Sequence, residues 1–155
     1  MISVALYALT SFIHSKKIDL SETQLSSEEI EMFKKCFGIE KPSYISVLQC
    51  VYNQDKTTTN FAIKAVISTP DIKTLINEIS NSNSTIYGYK HNRTPVADDF
   101  AQALPWWNIE SGRHILSYNI QLDDHNQGSA AVTIVRDNGY NYVYMWYTNP
   151  ALIAK

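Results

Sequence analysis

Apolar positions along this chain recur with two periods, one of two residues and one near 3.6, and the alternation between them predicts the elements. The period of two is clearest near the C-terminus, where SAAVTIV and NYVYMWY flank the pentapeptide Arg136-Asp137-Asn138-Gly139-Tyr140. Asn-Gly is the strongest short-range hairpin signal, because a type I′ turn needs φ > 0 at both central positions. With Asn138-Gly139 as the turn, Asp137 pairs with Tyr140 and the register of the whole ribbon follows. One face then carries Ala131, Thr133 and Val135 opposite Trp146, Tyr144 and Tyr142. The other carries Ala130, Val132 and Ile134 opposite Tyr147, Met145 and Val143. The second face is aliphatic and has no polar tips, so its need for burial is greater. Helices are therefore expected over it, with the aromatic face left partly open.

The same pattern predicts strands at Tyr44–Tyr52, Thr59–Ile67 and Arg113–Leu122, and the two ribbon strands at Ser129–Arg136 and Tyr140–Tyr147. Helical spacing appears in three places. Ile30, Phe33 and Phe37 follow a capping box, Ser26 with Glu29 three residues on, and Gly38 supplies the stop. Ile72, Leu75, Ile76 and Ile79 form a stripe behind Thr69 as cap and Pro70 in the first turn. A third start, Thr94-Pro95, opens a helix through Val96, Phe100 and Leu104 that Pro105 ends. Ala5, Leu9, Phe12 and Ile13 also share one helical face. Strands joined by short loops and grouped apart from helices imply an α+β fold. The expectation is an antiparallel sheet of about five strands with helices packed mainly on one face. It forms a single domain over residues 1–155, with an N-terminal helix and loop in 1–25 and the sheet with its helices in 26–155.

Composition adds mainly exclusions. The chain has 155 residues, 45% hydrophobic and 18% charged, with a net charge of −2 and 10 tyrosines. Its Lys and Arg residues are scattered, which argues against a phosphate-tracking surface and so against a nucleic-acid partner. Cys36 and Cys50 show no metal-ligand spacing and read as small hydrophobes. Ile2–Ile13 lacks the basic flank and small-residue site of a signal peptide and is too short to span a bilayer. A cytoplasmic location without a membrane partner is expected; an envelope-associated structural domain anchored through this segment is the alternative.

Three groups of residues could carry function. Trp106 and Trp107 follow a helix-ending proline, and adjacent indoles cannot share one face, so at least one lies near the surface. They either plug the sheet or anchor a protein partner, as Trp and Tyr do at interface hot spots. Tyr142, Tyr144 and Trp146 on the aromatic face admit the same two readings. Asp98, Asp99, Asp123 and Asp124 could complement a basic partner. The third group is His114 with His125 and Arg113, where two imidazoles could act as acid and base and Arg113 or Arg136 could stabilise an anionic transition state. Yet Leu122–Gly128 is built from ordinary turn residues, and Asp123-Asp124-His125 has no metal-ligand spacing. No nucleophile motif or glycine-rich phosphate loop is present.

The strand and helix over Thr59–Ser80, the Pro105-Trp106-Trp107 tripeptide and the aromatic terminal hairpin together resemble small uncharacterised bacterial proteins of the toxin-immunity type. The resemblance covers roughly residues 59–147. It departs from the lipid-anchored members of that group, since the first cysteine is Cys36 rather than one near the N-terminus. What it implies is a non-enzymatic protein-binding domain, an immunity protein that occludes the active site of a toxin, with no cofactor. The alternative from the residues themselves is a small hydrolase or nuclease using His114 and His125.

Overall fold

The computed structural model describes residues 21–40, 42–55, 58–81, 86–92, 99–109, 112–122 and 128–150. The N-terminal segment, the helix start at Thr94 and Pro95 with Asp98, and Asp123, Asp124 and His125 lie outside the described residues. The elements are α1 (Ser27–Phe37), a 3₁₀ turn (Pro42–Tyr44), β1 (Ile45–Gln54), β2 (Thr58–Ile67), α2 (Thr69–Asn81), β3 (Ile86–Asn92), the short α3 (Asp99–Gln102), β4 (Arg113–Leu122), β5 (Ser129–Asp137) and β6 (Tyr140–Pro150). Every neighbouring strand pair is antiparallel. The order across the sheet is β1-β2-β6-β5-β4-β3, so the fold is α+β as the pattern predicts. The strand the sequence did not announce is β3. Its sequence, IYGYKHN, has a glycine inside it, where the pairing with β4 shifts register between Ile86 and Gly88. A glycine and a bulge at a sheet edge erase the alternation that marks an ordinary strand.

The terminal hairpin has the expected register, with Asp137 opposite Tyr140 and Thr133 opposite Tyr144. Asn138 and Gly139 have φ of 49° and 82°, the positive values a type I′ turn requires. The aliphatic face of this ribbon is the main core. Phe61, Ile63, Val132, Ile134, Val143, Met145 and Tyr147 lie beneath Met32, Phe33, Cys36 and Phe37 of α1 and Leu75 and Ile79 of α2. Phe61 sits between Phe33 and Phe37, with ring centroids at 5.5 and 6.2 Å. α1 carries the predicted capping box: Ser26 N–H donates to Glu29 Oε2 at 2.7 Å, and Glu29 N–H donates to Ser26 Oγ at 3.2 Å. Gly38 closes it. Ile30 does not join the stripe; it is 42% exposed at the edge of the helix face, and Met32 and Cys36 complete the buried row instead.

α2 begins one residue earlier than its Thr-Pro signal suggests. Ser68 is the cap, and its hydroxyl exchanges hydrogen bonds with Asp71 at 3.3 and 2.5 Å. That frees Thr69, whose Oγ1 accepts from Nδ2 of the buried Asn141 at 3.0 Å and so ties the helix start to β6. Asn141 Oδ1 has no partner among the described residues. The outer edge of β1 is partly covered by the segment before α1, where Thr23 N–H donates to Val47 O at 2.7 Å. Both cysteines are free, and burial pushes the Cys36 thiol up to about 12. Among the described residues no helix is long and apolar enough to cross a membrane.

Candidate functional site

The aromatic face of the sheet is the best-developed feature outside the main core, and the structure corrects the expectation that it is partly open. Tyr142, Tyr144 and Trp146 are 6%, 2% and 5% exposed. They are covered by residues 99–109, which run from α3 through the tryptophan pair. Small residues beneath the cover make room for the largest ring there. Trp146 is flanked across the strands by Ala62 and Ala131, two small residues that leave a trough for the indole. Ala101 of α3 packs into the same cluster, with Phe100, Leu104 and Trp106 around it. Trp107 meets Tyr144 edge-on at 5.2 Å, and Trp106 and Trp107 touch at 5.9 Å.

Burying tyrosines demands partners for their hydroxyls. Tyr144 OH donates to Asn108 Oδ1 at 2.6 Å, and the same oxygen accepts from Lys64 Nζ at 2.9 Å. The Lys64 ammonium also lies over the Tyr142 and Tyr144 rings, 5.1 and 5.6 Å from their centroids. Burial lowers the Lys64 pKa, and the Asp137 carboxylate partly offsets this. Burial raises the Tyr144 pKa, with Tyr142 and Asp137 adding to the effect. The Tyr142 pKa is raised too, chiefly by burial. A two-residue polar clasp, Lys64 and Asn108, therefore holds the cover down at the point where the ring face turns polar. The sequence signal for Lys64 was one cation on the Ala62–Lys64–Val66 side of a strand. Asn108 had none, since nothing local marks an asparagine after two tryptophans.

The tryptophans themselves stay half-buried, each with part of its indole at the surface, and Asp99 is exposed at the start of α3. The five aromatic residues singled out from sequence thus gather on one face, three as floor and two as cover. Of the four acidic candidates only Asp99 is among the described residues. The histidine cluster fares differently. His114 Nε2 lies 2.9 Å from Ser117 Oγ, which in turn lies 2.8 Å from Thr133 Oγ1, and Ser117 is fully buried. The imidazole is therefore engaged with an internal hydroxyl chain between β4 and β5. Arg113 is exposed on the next residue, directed to the opposite face of the sheet. Among the described residues no three His, Cys, Asp or Glu side chains gather as metal ligands. No family model matches the chain, nor does any curated protein or solved structure.

Proposed function

We propose that this chain is a non-enzymatic protein-binding domain whose anchor is the Trp106–Trp107 pair, and that it acts as an immunity protein that occludes the active site of a bacterial toxin. The observation that supports the reading is the pairing of exposure with support. Two adjacent indoles reach the surface while resting on a buried floor of Tyr144 and Trp146. An anchor held in place before binding loses little side-chain freedom on association, which is how aromatic hot spots contribute most. Asp99, exposed at the start of the same covering segment, supplies an acidic group to complement a basic active site. The toxin-immunity part of the reading rests on the resemblance of residues 59–147. A hydrolase reading gains no support from His114, whose partner Ser117 is out of reach of any substrate.

The test is affinity capture with the tagged full chain from its source cells, followed by reconstitution of the purified pair. Trp106→Ala is the informative variant, since Trp107 also braces Tyr144. The expected result is one stoichiometric partner whose activity falls as the complex forms, with binding weakened at least tenfold by a Trp106→Ala chain that still melts cooperatively. A partner whose activity is unchanged in the complex would remove the toxin reading. Equal binding by wild type and variant would remove the tryptophan anchor.

A further inference from the structure

β4 contains an irregularity that places like charges together. From Leu116 onward it pairs with β5 in a regular register, Leu116 opposite Ile134 and Ser117 opposite Thr133. Continued without interruption, that register would set Arg113 opposite Asp137, an ion pair across the strands. Instead the ladder shifts between His114 and Leu116, with Ile115 as the extra residue, and Arg113 falls opposite Arg136. Like charges directly opposite each other in a sheet are unfavourable. Bulges are devices that re-aim side chains, and this one forgoes an attractive pair for a repulsive one. Neither guanidinium has an ion-pair or hydrogen-bond partner among the described residues, and both are exposed.

Arg113, Arg136, Asn141 and Ile67 form one transverse row, each opposite the next. The row lies on the face that α1 and α2 cover, and α2 starts above it, fixed by the Asn141–Thr69 hydrogen bond. One flank of α2 carries Asp71 and Glu78, and Tyr44 OH donates to Glu78 there. Thr69 and Lys73, four residues apart, share the other flank, and Thr69 meets β6 at Asn141. Lys73 is exposed and has no ion-pair partner among the described residues. Adjacent strands are about 4.8 Å apart, so the guanidinium groups of Arg113 and Arg136, on directly opposed residues, can reach a single ligand group.

We infer that Arg113 and Arg136 form a site for an oxyanion, a phosphoryl or carboxylate group presented by a ligand, which neutralises the pair that the β4 bulge creates. Two arginines offer planar forks matched to such groups. The site is on the opposite face from the tryptophan pair and does not depend on the function proposed above.

The experiment is a titration of the full chain at low ionic strength, following the arginine side-chain N–H resonances by NMR. The probes are inorganic phosphate and glutarate, with sodium chloride at matched ionic strength as the reference. The expected result is a saturable shift of the Arg113 and Arg136 signals, with a dissociation constant on the order of 1 mM, the range of a few charge-assisted bonds at an exposed surface. Saturation by phosphate alone assigns a phosphoryl ligand, and saturation by glutarate alone assigns a carboxylate; either supports the site. Shifts that match the chloride reference are screening only and overturn it. Arg113→Gln and Arg136→Gln provide the second readout. Each is expected to raise the melting temperature slightly in chloride and to abolish the additional rise that phosphate or glutarate gives the wild type. A fall in chloride, with the phosphate or glutarate rise retained, would also overturn the site.

Discussion

The two faces of this sheet are both buried, but they are buried in different ways. On the aliphatic face two amphipathic helices lay down stripes of Phe, Leu and Ile, and polar contacts enter only at the margin, as where Asn141 holds Thr69 at the start of α2. On the aromatic face a four-residue helix and an irregular segment do the covering, and the fit needs chemistry as well. Tyr144 could not be covered until its hydroxyl had an acceptor, and Asn108 brings one while also taking the Lys64 ammonium. The difference teaches where a fold can carry a recognition surface. A helix-covered face spends its side chains on its own interior, whereas a thin cover exposes the backs of the residues that hold it down, here Trp106 and Trp107.

That contrast can be broken at several depths. Phe61→Ala on the aliphatic face removes a fully buried ring that touches two others, and unfolding by denaturant should show a loss of about 3–5 kcal/mol. On the aromatic face the graded pair is Trp107→Ala and Trp106→Ala. Trp107 braces Tyr144, so its loss should cost roughly 2 kcal/mol in the same measurement, less than a fully buried tryptophan because the residue is only partly buried. Trp106→Ala should cost less than Trp107→Ala; the reverse order would place the brace at the wrong indole. Gly128→Ala tests the seam before β5, where an added Cβ would stand 2.6 Å from the Tyr147 ring. A cost of about 1–3 kcal/mol is expected unless the ring can move aside.

The smallest expected effect is the most specific. Tyr144→Phe deletes one hydroxyl and should cost about 1 kcal/mol at neutral pH. It should also change the alkaline limb of stability. Folding raises the Tyr144 pKa above its ordinary value of 10.0, so the phenol stabilises the fold fully below pH 10. That contribution is lost as the pH rises above 10, because the unfolded phenol ionises first. Tyr142 and Tyr44 are raised in the same direction and steepen the same limb. Melting temperatures followed upward from pH 9 should therefore fall less steeply in Tyr144→Phe than in the wild type. Parallel curves would mean that the hydroxyl is not buried as described.

Local chemistry was enough for much of this molecule. Asn138-Gly139 set the turn, and with it the opposition of every residue in β5 and β6, because a period of two leaves no freedom once the turn is placed. Ser26, Glu29 and Gly38 bounded α1 because caps act on the backbone groups beside them. Other features depended on partners distant in sequence. Whether Tyr142, Tyr144 and Trp146 were open or covered turned on Asn108, Ala62 and Ala131, brought to them from three other segments. The choice of Ser68 over Thr69 as the α2 cap was made by Asn141, which claims the threonine hydroxyl from β6. The opposition of Arg113 and Arg136 came from a bulge at Ile115 that leaves no mark in the sequence, since β4 alternates poorly on both sides of it. Short-range hydrogen bonding and steric limits are written in neighbouring residues. Burial, register shifts and the sharing of polar groups are properties of surfaces that exist only once the strands have met.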